Sequence, residues 1–192
     1  MLVRSLARSL ARFHPILSAE ENNLIGTIPS EIGLLEDLTV WGMERGNLTS
    51  TIPTEIGRLT NLVFIDLDFN ELTGTLSDEL LSLSSLNQLD LNNNKLSGSI
   101  NGIGVFPDME FLQLHDNFFT GTVPEGVGTF TGMTAFTLHE SSISGTMPQS
   151  VCDLVVGAGN GGVLTSLIAD CSTTNPNIVC DCCTDCRAPQ QP

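Results

Sequence analysis

Apolar side chains recur along this chain in short alternating groups: Leu38, Trp41 and Met43; Leu62, Ile65 and Leu67; Leu86, Leu89 and Leu91; Met109, Leu112 and Leu114; Met133, Phe136 and Leu138. Alternation within each group puts two apolar residues on one face of a short strand and the residue between them on the other. A polar stretch follows each time. NNLIGTIP begins at Asn22, GNLTSTIP at Gly46, NELTGTLS at Asn70, NNKLSGSI at Asn93, NFFTGTVP at Asn117 and SSISGTMP at Ser141. Aligned on the Asn position, the copies fall at 22, 46, 70, 94, 117 and 141, at intervals of 24, 24, 24, 23 and 24. A fixed period of this size predicts a solenoid, in which successive strands lie about 4.8 Å apart in a parallel sheet. No single coil can bury its apolar stripe; neighbours must cover it.

The polar positions have structural work of their own. Asn22, Asn70, Asn94 and Asn117 follow the strand where the chain turns inward, and a buried amide there can donate to and accept from backbone groups that the turn leaves unpaired. Gly26, Gly74, Gly98, Gly121 and Gly145 recur four places later, as a tight bend or a close coil contact requires. Pro29, Pro53, Pro124 and Pro148 suit the outer side of the coil, after a short second extended segment. Gly46 and Ser141 depart from the Asn, Ser50 from the Gly, and Ser77 and Asn101 from the Pro. Coils carrying these departures are expected to be locally softer.

The complete unit, LxxLxLxxNxLxGxIP, is that of the leucine-rich repeat, and its Gly, small residue, aliphatic and Pro resemble the plant-type subclass. The resemblance implies a right-handed solenoid of α/β type with about six coils. Its parallel sheet would form the concave face of a horseshoe or superhelix, with short 3-10 and extended segments on the convex face. It also implies binding of a protein, peptide or glycan at the concave face, as in receptor-kinase ectodomains, polygalacturonase-inhibiting proteins and secreted diatom repeat proteins. No counterpart of a kinase domain is present in the sequence.

Organisation at the two ends differs. Residues 1–13 repeat Arg every four positions among Leu, Ala and Ser, which reads as a targeting segment or an irregular start. The repeats are assigned to 14–151 and a Cys-rich cap and tail to 152–192. All six cysteines, Cys152, Cys171, Cys180, Cys182, Cys183 and Cys186, lie in the latter. An even count in a terminal segment poor in apolar residues predicts disulfides and hence an oxidising, extracellular or cell-surface setting. A thiolate zinc site is the rival, since CxCCxxC closely spaces its sulfurs. Six cysteines allow fifteen pairings, which spacing does not resolve.

Charge narrows the partners. The 192 residues carry 22 acidic and 7 basic side chains, for a net charge of −15. Nucleic acid is excluded on that balance, because neutralising phosphates needs Lys and Arg. No apolar run long enough to span a membrane occurs.

Residues between and beside the strand leucines form columns across the coils, expected to face solvent on the concave sheet. Within them Phe64, Asp66, Asp68, Gln88, Asp90, Asn92, Phe111, Gln113, His115, Thr137 and His139 are the candidate ligand-binding set. Asp66 and Asp90 form a carboxylate pair read as solvated, on a sheet too open to shift a pKa. His115 and His139, expected about 5 Å apart, have Asp116 and Glu140 beside them and could hold a divalent metal or sense mild acid. Two exposed histidines is the plainer reading. Asn47 begins an NLT sequon and is a candidate glycan acceptor. No nucleophile, metalloprotease or phosphate-loop signature appears, so no catalytic residue, metal or cofactor is assigned. The expected role is non-catalytic recognition. The alternatives are a matrix protein without a specific ligand, a hydrolase inhibitor and a piece of a receptor-kinase ectodomain.

Overall fold

The computed structural model describes residues 15–19, 24–159, 161–172 and 177–188. Asn22 and the 1–13 segment lie outside them. Each coil begins with a short inner strand of two to four residues, and these pair in parallel into an eight-stranded sheet: Ile16–Ser18, Val40–Gly42, Phe64–Asp66, Gln88–Asp90, Phe111–Gln113, Ala135–Thr137, Ser166–Ala169 and Asp185–Cys186. The register aligns the central residue of every strand, so that Leu17, Trp41, Ile65, Leu89, Leu112, Phe136 and Leu167 form one continuous file. From Trp41 onward these side chains are 0% exposed. This file is the apolar alternation of the sequence turned into a core.

The second extended segments also pair. Ile25–Thr27, Asn47–Ser50, Glu71–Gly74, Lys95–Ser99, Phe118–Gly121 and Ser142–Ile143 make a six-stranded parallel sheet on the other side of the stack. Between the two sheets the residue before each anchor is left-handed: Arg45, Phe69, Asn93, Asp116 and Glu140 have φ between 47° and 54°. That turn, absent from the sequence reading, swings the chain from one sheet to the other.

The Asn anchors hold these turns to their neighbours. Asn94 Nδ2 donates to the carbonyls of Leu67, Leu91 and Asn92, and its Oδ1 accepts from Leu72 N at 2.9 Å. Asn70 and Asn117 repeat the arrangement one coil away on either side. The departures resolve in different ways. Ser141 Oγ donates to Leu138 O and accepts from Ile143 N, and Asp170 accepts from Glu140 N and Ser141 N. Ser50 adopts φ 73° in the bend that other coils give to glycine. At Gly74, where φ is +87°, a Cβ would also meet Thr51 Cγ2 at 2.7 Å.

Proline closes the outer strand and opens a 3-10 turn. Pro29, Pro53 and Pro124 precede Ser30–Leu34, Thr54–Arg58 and Glu125–Thr129, in which Ile32 N, Ile56 N and Val127 N donate to the proline carbonyl. Where Ser77 replaces proline the turn is α-helical, Asp78–Leu81, with Ser77 Oγ accepting from Leu80 N. The substitution therefore supplies an N-cap, a favourable exchange, and no local weakness is evident at that point.

At the C-terminal end the inner sheet continues through Ser166–Ala169 and Asp185–Cys186, and Ile178–Val179 pairs with Gly145–Thr146. Leu164, Leu167 and Ile178 cover the last coil and are at most 1% exposed. All six cysteines are bonded, Cys152 to Cys182, Cys171 to Cys186 and Cys180 to Cys183. Among the described residues no helix is long and apolar enough to cross a membrane.

Candidate functional site

The columns beside the core file stand together on the inner sheet because register, not chain proximity, aligns them. Phe64, Gln88 and Phe111 form one file; Asp66, Asp90, Gln113 and Thr137 form the next. Most of these side chains are half-buried rather than solvent-facing, and Asp90, Asn92 and Thr137 are only 5% exposed. The expectation of a freely solvated surface is corrected at these positions. Neighbouring coils stand close enough that side chains hydrogen-bond one another instead of water.

The correction is sharpest at the carboxylates. Asp90 accepts from Gln113 Nε2 at 2.7 Å through one oxygen and from the backbone and side chain of Asn92 through the other. Asp66 Oδ1 accepts from Asp68 N. Carboxylate oxygens of Asp66, Asp68 and Asp90 lie within 4.8 Å of one another. Burial, and then the charge of Asp66, push Asp90 up to about 7. Asp68 rises to about 6, first through burial and then through Asp66 and Glu44. Contrary to the sequence reading, this sheet does shift carboxylate pKa values, because packing of adjacent coils removes water that strand alternation alone would leave.

Two coils further on, the histidine columns meet. The rings of His115 and His139 stack with centroids 4.4 Å apart and planes 13° from parallel. Both are half-buried, which corrects the picture of two exposed histidines. His115 Nδ1 pairs with Thr137 Oγ1 at 2.8 Å, and its Nε2 lies 4.0 Å from Asp116 Oδ2. Burial holds His115 down to about 4, with His139 adding to the effect, and burial lowers His139 as well. Asp116 is pushed up to about 7 by burial and by a shared hydrogen bond with Glu140.

The pattern did not point to a groove of about 680 Å³ along the turn between the two sheets, where Phe69, Asn93, Asp116, Phe118 and Glu140 contribute lining. Phe118 is 62% exposed and Phe69 47%. Arg45 sits over the Phe69 ring at 5.7 Å. Phe118 was legible in principle: in the run FFTG strand alternation sends one of the two rings outward. Asp170 was not, because it stands three places after Leu167, out of step with the anchors, which stand five places after theirs. Asn47, the sequon residue, opens an outer strand and is exposed.

A Leucine Rich Repeat family model matches residues 85–105. Among curated proteins none matches the chain. Solved structures do. The plant peptide hormone receptor RGFR1 in complex with RGF2 superposes with a TM-score of 0.70 at 26% identity, over 76% of this chain and 26% of that one. The Arabidopsis receptor kinase HAESA, in complex with the peptide hormone IDA and the co-receptor SERK1, gives 0.65 at 28% identity, over 84% of this chain and 25% of that one. The ectodomain of the receptor kinase SOBIR1 from Arabidopsis thaliana gives 0.59 at 32% identity, over 61% and 64%. This chain thus spans about a quarter of the length of the first two. The repeated unit, the two parallel sheets and these likenesses together show a leucine-rich-repeat fold, similar to that of plant receptor-kinase ectodomains.

Proposed function

We propose that the chain is an extracellular recognition module whose inner sheet holds an extended peptide segment through a basic side chain or amino terminus. One observation carries this reading: three carboxylates, Asp66, Asp68 and Asp90, converge within 4.8 Å, and two of them are displaced upward by burial and mutual repulsion. A cationic group placed among them relieves that repulsion and replaces the lost hydration with charge-assisted hydrogen bonds. Half-buried Phe64 and Phe111 flank the cluster and offer ring faces to the neighbouring apolar part of a ligand. The solved relatives in complex with RGF2 and with IDA are peptide receptors, which favours a peptide over a glycan. The three disulfides and the likeness to ectodomains support an extracellular setting.

The test is fluorescence anisotropy with two labelled extended peptides of equal length, one rich in Lys and Arg and one in Glu. The basic peptide is expected to bind, more weakly at higher salt and more weakly at pH 5 than at pH 8. The sign follows from the raised carboxylates: below about 6 to 7 they hold protons that a cation must displace. The variant Asp66→Asn, Asp90→Asn, Phe111→Ala is expected to lose the binding. Equal binding of both peptides, or binding unaffected by these replacements, defeats the reading; no binding of either peptide favours a matrix protein.

A further inference from the structure

The C-terminal end of the inner sheet gathers a different donor set. His115 and His139 present stacked imidazoles from adjacent coils, and ligand atoms of His115, Asp116 and His139 all lie within 4.8 Å of one another. Bonds from a zinc ion to imidazole nitrogen and carboxylate oxygen are about 2.0–2.2 Å, so two donors on one tetrahedral ion stand about 3.4 Å apart. His115 Nε2 and Asp116 Oδ2, at 4.0 Å, are within a side-chain adjustment of that spacing. The rings, 13° from parallel, must turn out of their stack for a nitrogen of each to point at one ion; a ligand nitrogen of His139 already lies within 4.8 Å of the other two donor atoms.

We propose that His115, His139 and Asp116 form a Zn²⁺ site, with Glu140 beside them as a further carboxylate. Four features of the surroundings support it. Thr137, itself 5% exposed, engages His115 Nδ1 and so leaves Nε2 for the ion, the orienting contact that metal-bound histidines ordinarily have. His139 Nδ1 is buried and has no hydrogen-bond partner among the described residues. Asp170, 1% exposed, accepts from Glu140 N and Ser141 N, fixing the backbone immediately after His139. Four carboxylates, those of Asp116, Glu140, Asp170 and Asp185, surround the pair against one guanidinium, Arg187, which is itself paired with Asp185 at 2.9 Å. The local field therefore favours a cation.

Imidazole with carboxylate is the donor chemistry of zinc and neighbouring first-row ions, whereas the all-oxygen cluster at Asp66, Asp68 and Asp90 suits harder cations. The cysteines do not compete for the ion, since all six are in disulfides. The site is separate from the peptide reading above, so it is measured with no peptide present.

The experiment is isothermal titration of the chelator-stripped full chain with Zn²⁺ alone, alongside Co²⁺ titration followed by visible absorption. One ion per chain is expected. His115→Gln and His139→Gln are each expected to weaken binding at least about tenfold, the lower end of what perturbing a metal site ordinarily produces, while Asp66→Asn with Asp90→Asn leaves it unchanged. In the wild-type protein Zn²⁺ should shift the imidazole NMR signals of His115 and His139 and leave those of His14. Zinc affinity unchanged in the double histidine variant, loss of binding in the aspartate control, or zinc binding without movement of the His115 and His139 signals overturns the proposal. The NMR arm decides the matter even if a variant fails to fold.

Discussion

The repeat stack and the C-terminal cap reach the same end, a covered core, by different physics. In the stack each coil is held by its neighbours: a file of aliphatic and aromatic side chains inside, two parallel sheets, and an Asn amide that ties four backbone groups across adjacent coils. In the cap, short strands of two to four residues cover the last coil, and three disulfides hold them there. The stack distributes its stability over many equivalent contacts, whereas the cap concentrates it in a few bonds. A defect in one coil is shared by the array, as nearest-neighbour energetics requires. A defect in the cap exposes the end of the core.

The largest expected effect comes from the covalent side. Replacing Cys152 and Cys182 by serine frees a loop of 30 residues and should cost about 3–4 kcal/mol on chain-entropy grounds, read as a fall in the midpoint of chemical denaturation. If the drop is below that of a single coil substitution, the cap is held by packing and the contrast with the stack disappears. Asn94→Ala follows, at about 1–3 kcal/mol, because it strands Leu72 N and three carbonyls in a buried setting. Ser141→Ala, which removes one hydroxyl beside the cap, should cost less because it strands only two backbone groups, Leu138 O and Ile143 N. Equal losses for the two would mean that the anchors are not graded along the stack.

Acidity offers a test of comparable size. Asp90 carries a folded pKa of about 7 against an ordinary 3.8, so the folded state holds the proton more tightly than the unfolded one. That contribution to stability is complete below about 4 and is lost as pH rises through 7. On this ground the chain should gain about 2 kcal/mol between pH 8 and pH 5 from this residue alone. Thermal melts should show the gain in the wild type and its absence in Asp90→Asn; a parallel pH dependence in the two proteins would place Asp90 outside the effect.

The smallest effect runs the other way. Ser50 adopts a left-handed bend, φ 73°, which other coils give to glycine. Ser50→Gly should stabilise by about 0.5–1 kcal/mol, the strain of a side chain in that conformation less the entropy that glycine loses on folding. The converse change, Gly74→Ala, should destabilise, since the bend is left-handed and Thr51 Cγ2 occupies the space. Stability curves that move both variants in the same direction would show that the bends are not equivalent.

The coil and its repeat were legible because their cause is local. The spacing of Leu38, Trp41 and Met43, restated in each later coil, has one favourable arrangement, apolar residues inward, and a period of 23 to 24 residues repeats it. The inner strands, the buried file and the position of the Asn turn follow from that alone. The cysteines' clustering predicted bonded sulfurs but could not select among the pairings. Columns on the inner sheet were also legible: Phe64, Gln88 and Phe111, and Asp66, Asp90, Gln113 and Thr137, stand in register there. Their burial was not. Whether Asp90 meets water or Gln113 depends on what the adjacent coil offers, and no single repeat contains that information.

What the sequence determined by itself, then, is whatever one coil must do to bury its stripe against copies of itself. Only the tertiary structure decided what happens where unlike residues from different coils meet: three carboxylates brought close together, two imidazoles stacked, Asp170 anchoring a turn from out of register, and six sulfurs joined in three particular pairs. The reason is that hydrophobic burial responds to the type of residue and its period, while hydrogen bonds, charge coupling and disulfides respond to separations of a few ångströms that stacking sets.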